Sequence, residues 1–372
     1  MNGNTRDVPA WVSVALLPLV NILLAFAISG LIIIVIGEDP LQALNFLIAG
    51  AFGSQEAIGY TLYYSTNLIF TGLAVAVAFH TGLFNIGAEG QAYVGGLGVA
   101  LICLAFDTSL PSFVIIPLCM IAAALFGAAW AFLPGYLQAT RGSHIVITTI
   151  MFNFIASALM VYLLVNVLIK PGQMAPETRV FADTAWMPFA HDAAAALGVS
   201  LARSPLNLSF LFALFFCIVV WLFIWRTRWG YAIRTVGQNE AAAVYAGIKS
   251  KRIVILAMSV SGGLAGFVAL NEVLGVQHRL LIDFVAGYGF TGIAVALMGR
   301  NHPMGVVFAA LLFGALYQGG AELAFEIPTI TRDMVVVIQG LVILFCGALE
   351  FMLKPHIEAL YLKLQSPQGW TG

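Results

Sequence analysis

Apolar runs of about 20 residues recur along the chain, separated by short polar or glycine-rich connections. A helix of that length crosses roughly 30 Å of hydrocarbon, so the pattern predicts an all-α polytopic membrane protein forming one transmembrane domain over residues 1–372. Ten spans are expected, near 13–36, 58–79, 90–106, 111–133, 144–169, 208–225, 253–274, 284–299, 303–322 and 334–353. The short alternating segments of a β-barrel do not occur. The first run follows one basic residue, Arg6, and is longer than a signal-peptide core, so it reads as a retained span.

Composition agrees. Hydrophobic residues make up 61% and charged residues 9%, against roughly 25% charged in a soluble chain. The few charges are distributed unevenly. Eleven of the sixteen Lys and Arg fall in alternate connections, including Arg141, Arg226, Arg228, Arg234, Lys249, Lys251, Arg252 and Arg300. The excess of basic residues marks these connections as cytoplasmic and places both termini there. Cys103, Cys119, Cys217 and Cys346 lie inside apolar runs without metal-ligand spacing and read as packing residues.

Two connections are long. The external one, 170–207, contains Pro171, Pro176, Pro188 and Pro205 with Trp186 and Phe189; it either docks an external partner or is flexible. The internal one, 226–252, contains a two-turn helix signal. Asn239 is a good N-cap, Glu240 complements the helix dipole and Gly247 is a C-terminal glycine. Ala241, Val244, Tyr245 and Ile248 form an apolar stripe at i, i+3, i+4 and i+7. So short a helix is marginal alone in water. Its stripe rests either on the protein's own span ends or in a groove on a cytoplasmic partner. The chain has no nucleotide-binding loop, so any ATPase is a separate polypeptide.

The stretch "FHTGLFNIGAEGQAYVGG", 79–96, concentrates polar and glycine residues between apolar runs. Gly82, Gly87 and Gly90 predict a broken helix near 82–91, with Asn85 capping a half-helix from Ile86 that carries Glu89 and Tyr93 on one face. A broken helix with a carboxylate inside a bilayer lines a cavity or packs against protein; an interfacial loop is the plainer reading. Gly87-x-x-Gly90-x-Ala92 recurs as Gly289-x-x-Gly292-x-Ala294 in an oppositely directed span, the pattern of a five-plus-five inverted repeat. Further candidates for a polar pathway lining are Gln91, Asn153 and Thr291, with Phe152 and Phe154 as aromatic faces.

"GLFNIGAEGQ" (82–91), "VGQNEAAAVYAGI" (236–248) and "YGFTGIAVALMGRNHPMG" (288–305) resemble the permease subunits of bacterial ABC importers for nucleosides and simple sugars, within the ribose and branched-chain amino acid permease group. The resemblance implies an alternating-access permease without chemistry of its own. It pairs with a second permease subunit, a paralogue or itself, with two ATP-binding subunits that carry ATP and Mg, and with an external substrate-binding protein. This chain is expected to bind no cofactor, metal or nucleic acid. The resemblance places Asn85, Glu89 and Gln91 near the pathway, and Glu240, Ala241, Ala242 and Gly247 against the ATPase. His80 stands where relatives often carry Arg or Lys. The rival class is an ion-coupled secondary transporter, for which Glu89 and Glu272 are the few intramembrane acids; Glu272 is expected near the outer end of its span. No nucleophile or metal-cluster motif points to a membrane enzyme.

Overall fold

The computed structural model describes residues 16–331, 333–341 and 344. Among them the chain is all-helical, with two compact units, Ala51–Gln318 and the described residues on either side of it. Seven helices are long and apolar enough to cross a membrane, or eight if one sharply bent pair counts as a single span. The chain is a multi-pass membrane protein.

In the larger unit, α3 (Gln55–Phe79), α4 (Ala88–Phe106) and α11 (Ser250–Gly266) form the centre. Around them lie α5 (Ser112–Arg141), α6 (Ile145–Asn166) and α8 (Ser209–Arg226). Burial separates the two sets. The most apolar window of α3 is 83% buried, while those of α5, α6 and α8 are each 28% buried, leaving aliphatic and aromatic faces for lipid or partners. Lipid provides no hydrophobic drive between helices, so contact depends on close packing of small residues. A Cβ on Gly262 would collide with the Gly127 carbonyl, which lets α11 and α5 touch backbone to backbone.

α11 continues into a π-helical turn, Leu270–Gln277, ended by His278 at φ 51°. The chain then runs through an irregular segment to the short α12 (Tyr288–Met298). At about 1.5 Å per residue, the eleven residues of α12 are too short to cross a bilayer, so the eighth expected span is a half-helix preceded by a re-entrant loop. α13 (Pro303–Glu326) follows.

The long 170–207 connection is packed, not loose. Phe181 N donates to His278 O (2.8 Å) and Met187 N to Leu274 O (3.0 Å), supplying partners to carbonyls at the π-helical end. Trp186 stacks on the His278 ring at 4.0 Å. Two ion pairs bind the strap, Arg179–Asp107 at 2.7 Å and Arg279–Glu177 at 2.8 Å. A short helix, α7 (Ala190–Ala196), completes it. The Arg179 guanidinium holds the buried Asp107 carboxyl below the usual carboxylate range. A lowered folded pKa gives stability that is complete above the unfolded value of about 3.9 and lost as pH falls through the folded one. Thermal melting of the purified protein is therefore expected to fall between about pH 5 and about pH 3, and to fall less over that range in Asp107→Asn; equal losses in both proteins would remove this pair from the account.

In the smaller unit, α1 (Leu17–Ile36) and α2 (Pro40–Phe52) meet at a bend that the ten-span reading did not include. Leu23–Ile36 and Pro40–Phe52 are 120° apart. Gly37 at φ 97° closes α1, the Asp39 carboxylate accepts from Leu41 N (2.8 Å), and Pro40 opens α2, the stop-and-start chemistry of adjoining helices. Ile33, Ala43, Leu323, Ile327, Ile330, Val335 and Ile338 form its core. Most of the expected tenth span, 334–353, and Cys346 lie outside the described residues.

Candidate functional site

α3 ends at Phe79, and residues 80–87 re-enter the bundle without helix before α4 starts at Ala88. The break is where the glycines predicted it, but the half-helix starts two residues later than Ile86, with Gly87 at the N-cap. Asn85 therefore does not cap a helix. Its Oδ1 accepts from Gly87 N (2.9 Å) and Gln91 Nε2 (3.1 Å), and its Nδ2 donates to Gln91 Oε1 (2.9 Å) and Ser261 Oγ (2.8 Å). Ser261 in turn donates to Ala74 O at 2.6 Å. Asn85 and Gln91 are thus buried within a knot joining α3, α4 and α11.

The N-terminus of α4 is capped by another helix. Asn153 on α6 accepts from Gly90 N (2.9 Å) and donates to Ile86 O (2.9 Å). Glu89 does the same for α12. Its two carboxylate oxygens accept from Gly287 N (2.9 Å) and Gly289 N (2.8 Å), the first donors of the half-helix. A carboxylate there also meets the positive end of the helix dipole. A Cβ on Gly289 would strike the Glu89 backbone, so glycine is needed for this approach. The two Gly-x-x-Gly-x-Ala turns therefore meet at one point.

From this junction a polar seam runs along α12. The Tyr93 hydroxyl donates to Asp283 Oδ1 (2.5 Å) and its ring meets Phe284 edge-on at 5.4 Å. Asp283 is exposed, with φ 58°. Its depth follows from its neighbours: Tyr93 is the sixth residue of α4, and Phe284 sits over Gly96, so Asp283 lies beside the middle of a membrane span. Further along, Thr291 Oγ1 and Tyr317 Oη are 3.1 Å apart, and the Tyr317 ring stacks on Tyr64 at 5.6 Å and 27°. Tyr288 packs on the same ring at 5.9 Å.

Glu272 lies five residues before the end of the Ser250–Gln277 span, as expected, but it is buried and not at a surface. It is 3% exposed, against the midpoint of α3, and its Oε1 accepts from Tyr63 Oη (2.6 Å) and Asn67 Nδ2 (2.5 Å). The π-helical widening directs it inward. Asn67 Oδ1 accepts from Asn271 Nδ2 (2.9 Å), and Asn271 Oδ1 accepts from Asn207 Nδ2 (2.9 Å), so the network extends to the 170–207 strap. Asn67, Tyr64, Asp283 and Tyr317 were not among the sequence candidates. An asparagine at the centre of an apolar run was the available sign for Asn67. Phe154 is 66% exposed on the outward face of α6, and Phe152 packs on Trp130 instead of entering the seam.

The 226–252 connection folds as two helices. α9 (Arg228–Gln238), which the sequence reading lacked, buries Gly230, Ile233 and Val236. α10 (Glu240–Tyr245) starts at Asn239, whose side chain accepts from Ala242 N (3.0 Å), and the segment closes at Gly247 with φ 81°. Of its apolar residues Ala243 faces inward, while Ala241 and Ala242 are exposed, Ile248 is half-buried, Val244 is 56% exposed and Tyr245 96% exposed. The stripe is therefore uncovered within this chain. Glu240 stands in the first turn. Near this end, the His80 ring sits 3.0 Å from Asn301 O and edge-on to Trp225. Burial lowers its pKa, so it is neutral near pH 7.

The fold is thus a helical membrane bundle in which the start of α4 and the start of the short α12 meet through Glu89. Residues 57–347 match the family described as branched-chain amino acid transport system / permease component. The chain belongs to this family and is a permease subunit of an ATP-binding-cassette transporter. It is 35% identical to the guanosine ABC transporter permease protein of Bacillus subtilis over 91% of this chain and 95% of that one. Identity is 34% to the nucleoside permease protein of Lactococcus lactis, over 95% and 94%. It is 33% to the glucose permease protein of Haloferax volcanii, over 95% and 92%. No solved structure matches the chain.

Proposed function

We propose that this subunit imports nucleosides or simple sugars by alternating access, with the seam from Glu89 through Asp283 to Tyr317 lining the path. The observation that carries the reading is Asp283. An ionisable side chain at hydrocarbon depth costs about 2.5–3.5 kcal/mol on insertion scales, so an exposed one must meet water or a partner, not lipid. Tyr93 and Thr291 share the seam, and Glu89 anchors it. Asn85, Gln91 and Asn153 border it, their polar atoms committed to fixing the half-helices. Cysteine at position 283 in the assembled transporter is expected to react with a small polar thiol reagent, at a rate that changes when substrate is supplied. Inertness in every state would reassign this face to packing.

The five-plus-five inverted repeat has support in the starts of α4 and α12, each opening on a Gly-x-x-Gly-x-Ala turn and each capped by a side chain from another helix. Counting the bent α1–α2 pair and the α12 half-span as one span each gives nine among the described residues. The power source is two partner ATPases holding ATP and Mg, engaged through Asn239, Glu240, Ala241, Ala242, Val244, Tyr245, Gly247 and Ile248. A second permease subunit and an external binding protein complete the assembly, in an inner membrane with both termini cytoplasmic.

A further inference from the structure

The Tyr64–Tyr317 stack lies deep in the apolar layer and is not sealed. Tyr64 is the tenth residue of α3, Thr291 the fourth of α12 and Tyr317 the fifteenth of α13, placing all three far from span ends at about 1.5 Å per residue. Each is only half-buried. Two phenol rings and a threonine hydroxyl on one open face at that depth combine ring surface with hydrogen-bonding edges. Behind them Tyr288 is buried and braces Tyr317.

We propose that the Tyr64–Tyr317 stack, with Thr291 at its edge, is the station that holds a planar heteroaromatic ring in transit, so that the cargo is an uncharged nucleoside and not a simple sugar. This rests on the reading that the seam lines the pathway. The rings are 5.6 Å apart at 27°. A flat ring between them needs contact distances of about 3.5 Å on each face, so one side chain swings aside to admit it. A saturated sugar chair is thicker and presents no π-face, so it requires a wider opening for a weaker contact. The bonded pair Thr291 Oγ1 and Tyr317 Oη offers donors and acceptors to ring heteroatoms. Asp283, nearer the Glu89 junction, accepts from ribose hydroxyls. The same carboxylate repels phosphate, so nucleotides are disfavoured.

The test uses the complete transporter, purified with its partner subunits and binding protein and reconstituted in proteoliposomes. The photoreactive nucleosides 4-thiouridine and 8-azidoguanosine are supplied outside, and labelled peptides are mapped. Attachment to peptides carrying Tyr64 or Tyr317 is expected. Tyr317→Leu should remove that label and reduce uptake of tritiated uridine or guanosine roughly tenfold or more, the loss of one base–aromatic contact. Tyr317→Phe should retain both. Labelling only elsewhere in a transporting complex overturns the proposal, as does undiminished uptake by Tyr317→Leu or transport of glucose but neither nucleoside. Should Tyr317→Leu fail to assemble, the photolabelled native complex decides alone. Tyr64→Cys separates the two levels. If it reacts with a polar thiol reagent while the photolabel lies elsewhere, the pathway stands and the ring station falls; if it is inert in every state, both fall.

Discussion

Replacing Glu89 with alanine is expected to cut uptake by the assembled transporter at least about tenfold and to lower the melting temperature of the purified subunit by several degrees. The carboxylate fills two acceptor positions at the start of α12, accepting from Gly287 N and Gly289 N. Without it, two backbone donors in a buried junction lose their partners, at about 1–3 kcal/mol each. The dipole of α12 also loses its compensating charge. The loop that precedes the half-helix is irregular and includes four residues at positive φ, His278, Asp283, Ala286 and Gly287, so it does not itself extend the helix's hydrogen bonding. Glu89→Gln keeps one acceptor and should fall between native and alanine. Gly289→Val should mimic the alanine variant from the opposite side, since its side chain would occupy the space of the Glu89 backbone. Native-like uptake and melting in Glu89→Ala would show that α12 is positioned by something other than this cap.

The second large effect is expected at α10. Tyr245 is 96% exposed, so Tyr245→Ala should leave the melting temperature of the isolated subunit unchanged. If an ATPase covers it, the same truncation costs about 2 kcal/mol or more, the value of a buried interfacial aromatic anchor, and weakens ATPase binding roughly 30-fold. Ala242→Glu, exposed likewise, should act more strongly by placing an unpaired charge in a dry contact. Gly247→Pro attacks the same segment through its backbone, because φ 81° is closed to proline. Co-purification of the ATPase and transport-coupled ATP hydrolysis measure all three. Unimpaired coupling in the Tyr245→Ala and Ala242→Glu proteins would falsify the assignment of α10 as the contact.

Parts of both sites were legible before any fold was known. The cap at Asn239 and the closing glycine at 247 are local, depending on residues within eight positions of one another, and sequence reads such features directly. The break before Ala88 was equally visible, because three glycines interrupt an apolar run. What failed was assignment of partners. Asn85 looked like a cap but is joined to Ser261, 176 residues away. Asn153 looked like a lining group but serves as a cap. Glu272 was expected near the outer end of a span and does lie five residues before Gln277, but its partners Tyr63 and Asn67, more than 200 residues away, could not be read.

The sequence by itself determined that the chain crosses a membrane many times, where its main helix break falls, and that a short amphipathic helix projects among basic residues. These follow from composition and short-range periodicity, since hydrocarbon thickness and helix geometry fix what an apolar run can do. Only the tertiary structure decided that Glu89 joins the two glycine motifs, that Asp283 is exposed at mid-depth, and that Tyr64 faces Tyr317. Those contacts link residues about 190 to 250 positions apart. They depend on how half-helices close against one another, which no local pattern of polar and apolar positions encodes.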